Sequence, residues 1–255
     1  MAKLKWDQIG ERIYETGDKN VALFVYNDTE STFTDATGEA SGTVTIKTHY
    51  SEGVAWNGIT AMTETPSGAE ATDLWADDTK YATMRSAEQF GGTIEAYTYP
   101  DEWEQCDGSV TVNGVTLGQQ KRKQFALAYL TTIGNDTELN DFGEKIHLVY
   151  AATASPSERS YATVNDSPEA ITFSWEYETS PVDCIVDGTE YKKVSCITLS
   201  ERKICYPSGT LDSAAKAKWD AFKDIIFGKD GSGASETGAV VPHLPMPADV
   251  ITFFA

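Results

Sequence analysis

Hydrophobic and polar positions alternate with a period of two over most of this chain. Residues 170–179 (AITFSWEYET) show it most clearly. Ile171, Phe173, Trp175 and Tyr177 point one way, while Thr172, Ser174, Glu176 and Glu178 point the other. Successive side chains of a strand face opposite sides, so this pattern predicts a strand with one face on a core and one in water. Residues 93–99 repeat it, with Ile94, Ala96 and Thr98 opposed to Thr93, Glu95, Tyr97 and Tyr99. Residues 21–26, 43–50, 125–133, 145–152, 182–186 and 194–200 read as further strands. In two of these, Phe125, Leu127, Tyr129 and Thr131 share a face, as do Ile146, Leu148 and Tyr150. Asn113-Gly114 predicts a tight hairpin over 110–117. Between Gly53 and Gly108, short alternating runs are broken by Asn57-Gly58, Pro66-Ser67-Gly68, Asp77-Asp78, Gly91-Gly92 and Pro100-Asp101. This punctuation predicts about four strands, a helical turn at 86–90 capped by Gly91, and another turn at 100–107.

The period changes in one place. From Leu211 to Phe227 the apolar residues Ala215, Trp219, Phe222 and Ile226 recur at three and four, with Thr210 or Asp212 to cap the start and Gly228 the end. At the N-terminus Trp6, Ile9 and Ile13 also suit one helical face, although Gly10 opposes it. Residues 27–41 are rich in Asp, Thr, Ser and Gly and read as an exposed loop. Residues 229–238 read as a linker, and the proline-bearing tail 240–255 as an extended path. Val250, Ile251, Phe253 and Phe254 are too apolar to stay in water, so the tail is expected on protein, its own body before a neighbour. The fold class is therefore mainly β, a sandwich or partly closed barrel with one C-terminal helix and short helical turns. The β domain covers residues 1–228, and 229–255 form a linker and C-terminal extension.

Charge narrows the function. Acidic side chains outnumber basic ones, 39 to 20, giving a formal charge of -19. That excess argues against a groove tracking phosphates, and Lys121-Arg122-Lys123 is too short for a nucleic-acid arm. No run approaches the ~20 apolar residues of a membrane span, and the N-terminal residues lack the apolar core of a secretory signal, so assembly in the cytosol is expected. Cys106, Cys184, Cys196 and Cys205 form no Cys-x-x-Cys pair, and the three histidines, His49, His147 and His243, are far apart. Zinc ligation is not expected, and the thiols read as reduced, with a bridge among the last three cysteines open in oxidising surroundings. The oxygen-rich residues Asp136, Glu138, Asn140, Asp141 and Glu144 lack calcium-loop spacing. Asn27-Asp28-Thr29, Asn135-Asp136-Thr137 and Asn165-Asp166-Ser167 fit a glycosylation sequon but read as turns. Asp101/Glu102 and Glu176/Glu178 are carboxylate pairs without a predicted cleft. No catalytic, cofactor or metal residue is assigned.

Several long strings carry a resemblance: GVAWNGITA, ETPSGAEATDLWADDTKYATM, SAEQFGGTIEAYTYPDEWEQCDGS, ALAYLTTIGNDT, SPSERSYATVNDSPEAITFSWE, and the ending Pro242-His243-Leu244-Pro245-Met246-Pro247-Ala248-Asp249-Val250. They resemble the major tail tube protein of long-tailed bacteriophages and prophages. The resemblance runs from Lys3 to Trp175 and is weaker from Ser180 to Pro207. It implies a non-enzymatic structural subunit of the virion tail, made in the bacterial cytoplasm, that stacks as hexameric rings into a hollow tube. Its implied partners are further copies of itself and the tail terminator or connector, tail tip and tape measure proteins. DNA would transit the lumen without specific binding, and no membrane or cofactor is implied. Strands with one acidic face would line such a lumen, which makes Glu95, Glu176 and Glu178 the candidate lumen-facing acids. Residues 28–49 look like an insertion, an acidic loop or long hairpin projecting from the body away from the lumen. The alternatives are the inner tube of a contractile tail or injection particle, and, more remotely, a β-sandwich carbohydrate-binding or adhesion module suggested by twelve Tyr and six Trp.

Overall fold

A computed structural model describes residues 4–38, 42–161, 163, 170–186, 188–232 and 237–255. The protein is mainly β, in several sheets, none of them closed into a barrel. The first half holds β1 (Tyr14–Ala36), β2 (Thr43–Tyr50), β3 (Val54–Ala55), β4 (Ile59–Glu64), β5 (Ser67–Gly68), β6 (Ala71–Ala76), β7 (Thr79–Arg85), β8 (Glu88–Gln89) and β9 (Gly91–Ala96). A 3-10 turn (Asp101–Trp103) and α1 (Glu104–Asp107) follow, then β10 (Val110–Val112) and β11 (Val115–Leu117). The second half holds β12 (Phe125–Asn135), β13 (Leu139–Ala154), β14 (Phe173–Thr179), β15 (Val182–Val186), β16 (Thr189–Val194), β17 (Cys196–Ser200), α2 (Glu201–Cys205), α3 (Ser213–Phe227) and α4 (Pro247–Phe254).

The main sheet runs β2-β1-β12-β13-β14-β9-β4, with β3 also on β1 and β17 also on β13. Its centre is apolar on both faces. Phe125, Leu127 and Tyr129 of β12 enter one buried cluster, and Ala126, Ala128 and Leu130 enter another. The first cluster holds Trp56, Trp103 and Trp175, whose ring centroids lie 4.6–5.6 Å apart, under the inward side chains Ile94, Trp175 and Tyr177 of β9 and β14. The second lies under α3 and α4, with Trp219, Phe222, Ile225, Ile226, Val250 and Phe253. Three layers result: helices, the sheet around β12, and the folded-over flap β14-β9-β4. Flap packing is close. A Cβ on Gly92 would sit 2.4 Å from the Thr63 carbonyl oxygen and 2.5 Å from the Tyr177 hydroxyl, so no side chain fits there.

Along the edge away from β12, strand β13 belongs to two ladders. Lys145 to Val149 pair with β17, and Ala152 to Ala154 pair with β14. Between them Ala151 takes φ +46°, in the left-handed region that costs an L-residue energy. Its amide has no place in either ladder and donates instead to the buried Tyr50 hydroxyl at 3.0 Å.

Several expectations are met. Asp212 caps α3 by accepting from the Ala214 and Ala215 amides at 2.9 and 3.2 Å, and Gly228 ends it at φ +80°. The 110–117 hairpin turns on Asn113 and Gly114, both at positive φ. The turn at 100–107 is helical and is closed by Gly108.

Others need correction. Residues 4–13 form no helix, and Leu4, Trp6, Ile9 and Ile13 are exposed. Without a partner face, helical spacing alone does not stabilise a short helix. The loop expected at 27–41 is largely strand: β1 continues to Ala36 and pairs with β2 over Ser31 to Ala36. The described residues of 28–49 thus form an antiparallel ladder, with 39–41 outside the described residues, and the ladder does not project freely. Val44, Ile46 and Tyr50 pack into the helix-side cluster, and a Cβ on Gly38 would fall 2.3 Å from the Ala217 carbonyl oxygen of α3. Residues 86–90 hold β8 rather than a helical turn, and Gly91 starts β9 at ordinary φ. Seven short strands, not about four, occupy 53–108. Val194 ends β16 and is separate from β17. The linker is tied by bridges Lys229↔Val240 and Ser232↔Thr237, with 233–236 outside the described residues. The tail is extended only to Met246 and then forms α4, whose Pro247 stands at the first position, where its missing N–H costs nothing. It packs on its own body, with His243, Leu244, Val250 and Phe253 buried.

Candidate functional site: an acidic sheet face beside an uncovered ribbon

The three acids singled out from the alternation come together. In the β14–β9 ladder Ser174 faces Glu95, Glu176 faces Thr93 and Glu178 faces Gly91. Directly paired residues of an antiparallel ladder share a face, so Glu95, Glu176 and Glu178 form one acidic patch with Thr63 and Ala61 of β4 at its border. Glu176 and Glu178 are exposed and Glu95 is half-buried. The patch is the outer surface of the flap, because the opposite face carries buried Ile94, Trp175 and Tyr177.

Strands β4 and β9 continue into a ribbon. Beyond the β4–β9 ladder, β5 pairs with β8 and β6 with β7, and the chain reverses at Asp77-Asp78, both at positive φ. Residues 65–89 are exposed apart from the half-buried Ala69 and Ala82, so the ribbon stands clear of the body. It nevertheless carries Leu74, Trp75, Tyr81 and Met84, with Trp75 69% and Tyr81 76% exposed. The segment 4–13 is similarly bare. Among the described residues it is tied to the body near its end, where the Gly10 amide donates to Asp136 Oδ1 at 2.9 Å, the Asn135 side chain donates to the Gly10 carbonyl at 3.2 Å and Arg12 pairs with Asp136.

The remaining candidates are scattered. His49 stacks on Tyr26, and His243 is buried on the tail, stacked on Phe33 at 4.0 Å with Nε2 3.0 Å from Asp35 Oδ2. His147 lies in β13, far from both. Cys106, Cys184 and Cys205 are buried free thiols and Cys196 an exposed one, so the bridge left open among the last three is not formed. Asp136 is engaged by Gly10 and Arg12, and Glu144 by Lys19 and Lys223. Among the described residues no group of three His, Cys, Asp or Glu is placed to hold a metal ion. The Asn135 side chain accepts from the Thr137 and Glu138 amides, as a turn asparagine does; Asn27-Asp28-Thr29 lies inside β1, and Asn165-Asp166-Ser167 outside the described residues. Asp101 and Glu102 open the 3-10 turn on the surface. Arg122 is half-buried and donates to the carbonyls of Asp107 and Ala154, which leaves Lys121 and Lys123 as the exposed part of the basic run.

One cluster carried no sequence signal. The Tyr129 hydroxyl of β12 donates to Glu64 Oε1 at 2.5 Å. The His147 ring lies parallel to the Tyr129 ring, 4.8 Å away, with Nε2 3.0 Å from Thr131 Oγ1. His147 Nδ1 stands 3.6 Å from Glu64 Oε1, longer than a hydrogen bond. The His147 imidazole and the Tyr129 hydroxyl hold the Glu64 carboxyl below its usual range, against the opposing effect of burial. Burial and the Glu64 charge push the Tyr129 hydroxyl far above its own, so it remains a donor.

No helix among the described residues is long and apolar enough to cross a membrane. Compared with known protein families, the chain matches no family model. A comparison with curated proteins likewise finds no relative.

Proposed function

We propose that this chain is a structural subunit of a phage tail, a tail tube protein whose copies close into six-membered rings and stack into a hollow tube with an acidic lumen. On this reading its fold is the tail tube type, with the acidic face of β9 and β14 turned to passing DNA. The observation that carries the proposal is the ribbon 65–90. Large apolar side chains on an element with no core of its own are a mark of protein–protein contact, and here they stand on a ribbon that continues β4 and β9 of an acidic sheet face. Carboxylates facing a polyanion repel it and let it slide. The carbohydrate-binding reading has less behind it. Trp56, Trp103, Trp175 and Trp219 are in the core, and the exposed aromatics Trp75 and Tyr81 stand on a narrow ribbon rather than a flat platform. Electron microscopy of purified protein tests the proposal. Rings or tubes with six-fold symmetry are expected. A protein that stays monomeric at high concentration, also with tail initiator proteins added, would overturn it.

A further inference from the structure

The ribbon leaves the body on two legs, and each is fastened differently. On the β9 side the Phe90 carbonyl accepts from the Thr179 amide at 3.0 Å and from its hydroxyl at 2.7 Å. On the β4 side the last residue of the strand is Glu64, whose carboxylate is held by Tyr129 and faced by His147. The first fastening is neutral and the second depends on a charge. We infer that Glu64 is a charge-dependent pin that sets how firmly the ribbon 65–90 is held against the body, so that protonating this one carboxylate loosens the ribbon while the core stays folded.

Three features support this. Tyr129 and His147 sit on β12 and β13, the central strands, and are nearly buried themselves, so they offer a rigid anchorage. Glu64 lies at the rim with 41% of its side chain exposed, so a proton from solvent reaches it without opening the core. No other polar side-chain hydrogen bond from residues 59–64 to the rest of the body is present among the described residues, so beside its ladder with β9 and the packing of Ile59 and Met62 on the tryptophan cluster this is the polar contact that holds the β4 leg. The groups around the pin are Tyr129 on β12, His147 on β13, Tyr177 on β14, Cys196 on β17 and Glu88 at the ribbon base, and Glu15 and Asp18 of β1 line the same cleft as Tyr129. Of these His147 is the one imidazole, and it faces the Glu64 carboxylate directly. Glu88 is the other carboxylate near Cys196.

The sign follows from linkage. A carboxyl held below its ordinary range in the folded state adds stability above the ordinary carboxylate range, and that contribution disappears as pH falls through the folded value. The pin therefore holds at neutral pH and lets go in acid. The inference concerns this chain alone and survives failure of the tail reading. If the tail reading holds, rings should bind one another less readily in acid.

Hydrogen exchange with mass spectrometry on the full chain tests it, read as protection factors so that the intrinsic pH dependence divides out. In Glu64→Gln at pH 7, amides of β5 to β8 should lose about three- to tenfold in protection, the range for a charge-assisted hydrogen bond at a partly screened site. Amides of β12 and β13 should keep theirs. Wild type taken from pH 7 to a pH below the ordinary carboxylate range should show the same selective loss, and Glu64→Gln should show no further change. Tyr129→Phe, which keeps the ring and the Glu64 charge, should give a smaller loss in the same segment. An unaltered ribbon in Glu64→Gln, or an acid response that persists in that variant, overturns the inference. If Glu64→Gln lowers protection everywhere, Tyr129→Phe decides: selective loss supports the pin, and uniform loss or none rejects it.

Discussion

Replacing Tyr50 by Phe isolates one hydrogen bond at the place where β13 changes neighbours. The Tyr50 ring is buried in the helix-side cluster, and Phe fills the same space. Only the hydroxyl is lost, and with it the acceptor for the Ala151 amide at 3.0 Å. That amide is off the register of both ladders and Ala151 is 6% exposed, so water does not readily replace the acceptor. Leaving a buried donor unmade costs about 1–3 kcal/mol. For a chain of this size, each kcal/mol lowers Tm by about 2–4 °C, so a fall of roughly 2–12 °C is expected. Tyr150→Phe is the internal control. Its hydroxyl is equally buried but donates, to the Pro245 carbonyl at 3.0 Å. A carbonyl tolerates the loss of one partner better than an amide does, so Tyr150→Phe should cost less, about 0.5–1.5 kcal/mol. Urea unfolding with an unchanged slope gives both values. If Tyr50→Phe costs under about 0.5 kcal/mol, or Tyr150→Phe costs as much, the reasoning about the orphaned amide fails.

Two other perturbations follow from burial. Burial pushes the Tyr50 hydroxyl and the Cys106 thiol each up to about 12; both stay neutral in the folded chain, so the stability they confer is whole below their ordinary ranges and drains away as pH rises toward 12. Tm measured from pH 8 to 11 should fall steadily, and a flat profile would contradict it. Removing residues 247–255 takes away Val250 and Phe253, each nearly fully buried, and the contacts of Phe253 and Phe254 with Phe222. At about 1.5–3 kcal/mol per side chain the isolated chain should lose roughly 3–6 kcal/mol; an unchanged melting curve would mean that α4 does not stabilise its own subunit.

Elements that bury one face were legible in the sequence, since burial is what writes a period into it. Residues 171–177 alternate because Trp175 and Tyr177 face the tryptophan cluster, and 215–226 repeat at three and four because Trp219, Phe222 and Ile226 face the sheet. The ribbon 65–90 buries neither face, so its short alternating runs fixed neither the number nor the pairing of its strands, and Asp77-Asp78 marked its reversal. The outer half of β1 was hidden by its Thr- and Ser-rich composition, although Phe33 and Asp35 alternate there with exposed Thr32 and Thr34. Prolines disguised α4. The acidic face was half legible: parity put Glu95, Glu176 and Glu178 on polar faces, but only the register of β14 against β9 made them neighbours. Glu64, Tyr129 and His147 had nothing to announce them, because three separate strands meet there.

The pairing of β1 with β12 also constrains how the chain is made. Residues 14 to 25 wait for partners between Phe125 and Gly134. A ribosome adds on the order of 5–20 residues each second, so the first strand spends several seconds or more without the strand that completes its sheet. During that interval Val21, Leu23 and Val25 on one side and Ala22 and Phe24 on the other have no core to enter, because both clusters are assembled around β12 and β13. The nascent chain is thus committed late, when the β12–β13 hairpin emerges beside β1 with β14 and β17 still to be made. Helix α3 and the tail, which cover one cluster, arrive later still. A β2–β1 hairpin has formed by then only as a local ladder, and its apolar edge depends on whatever holds nascent chains apart.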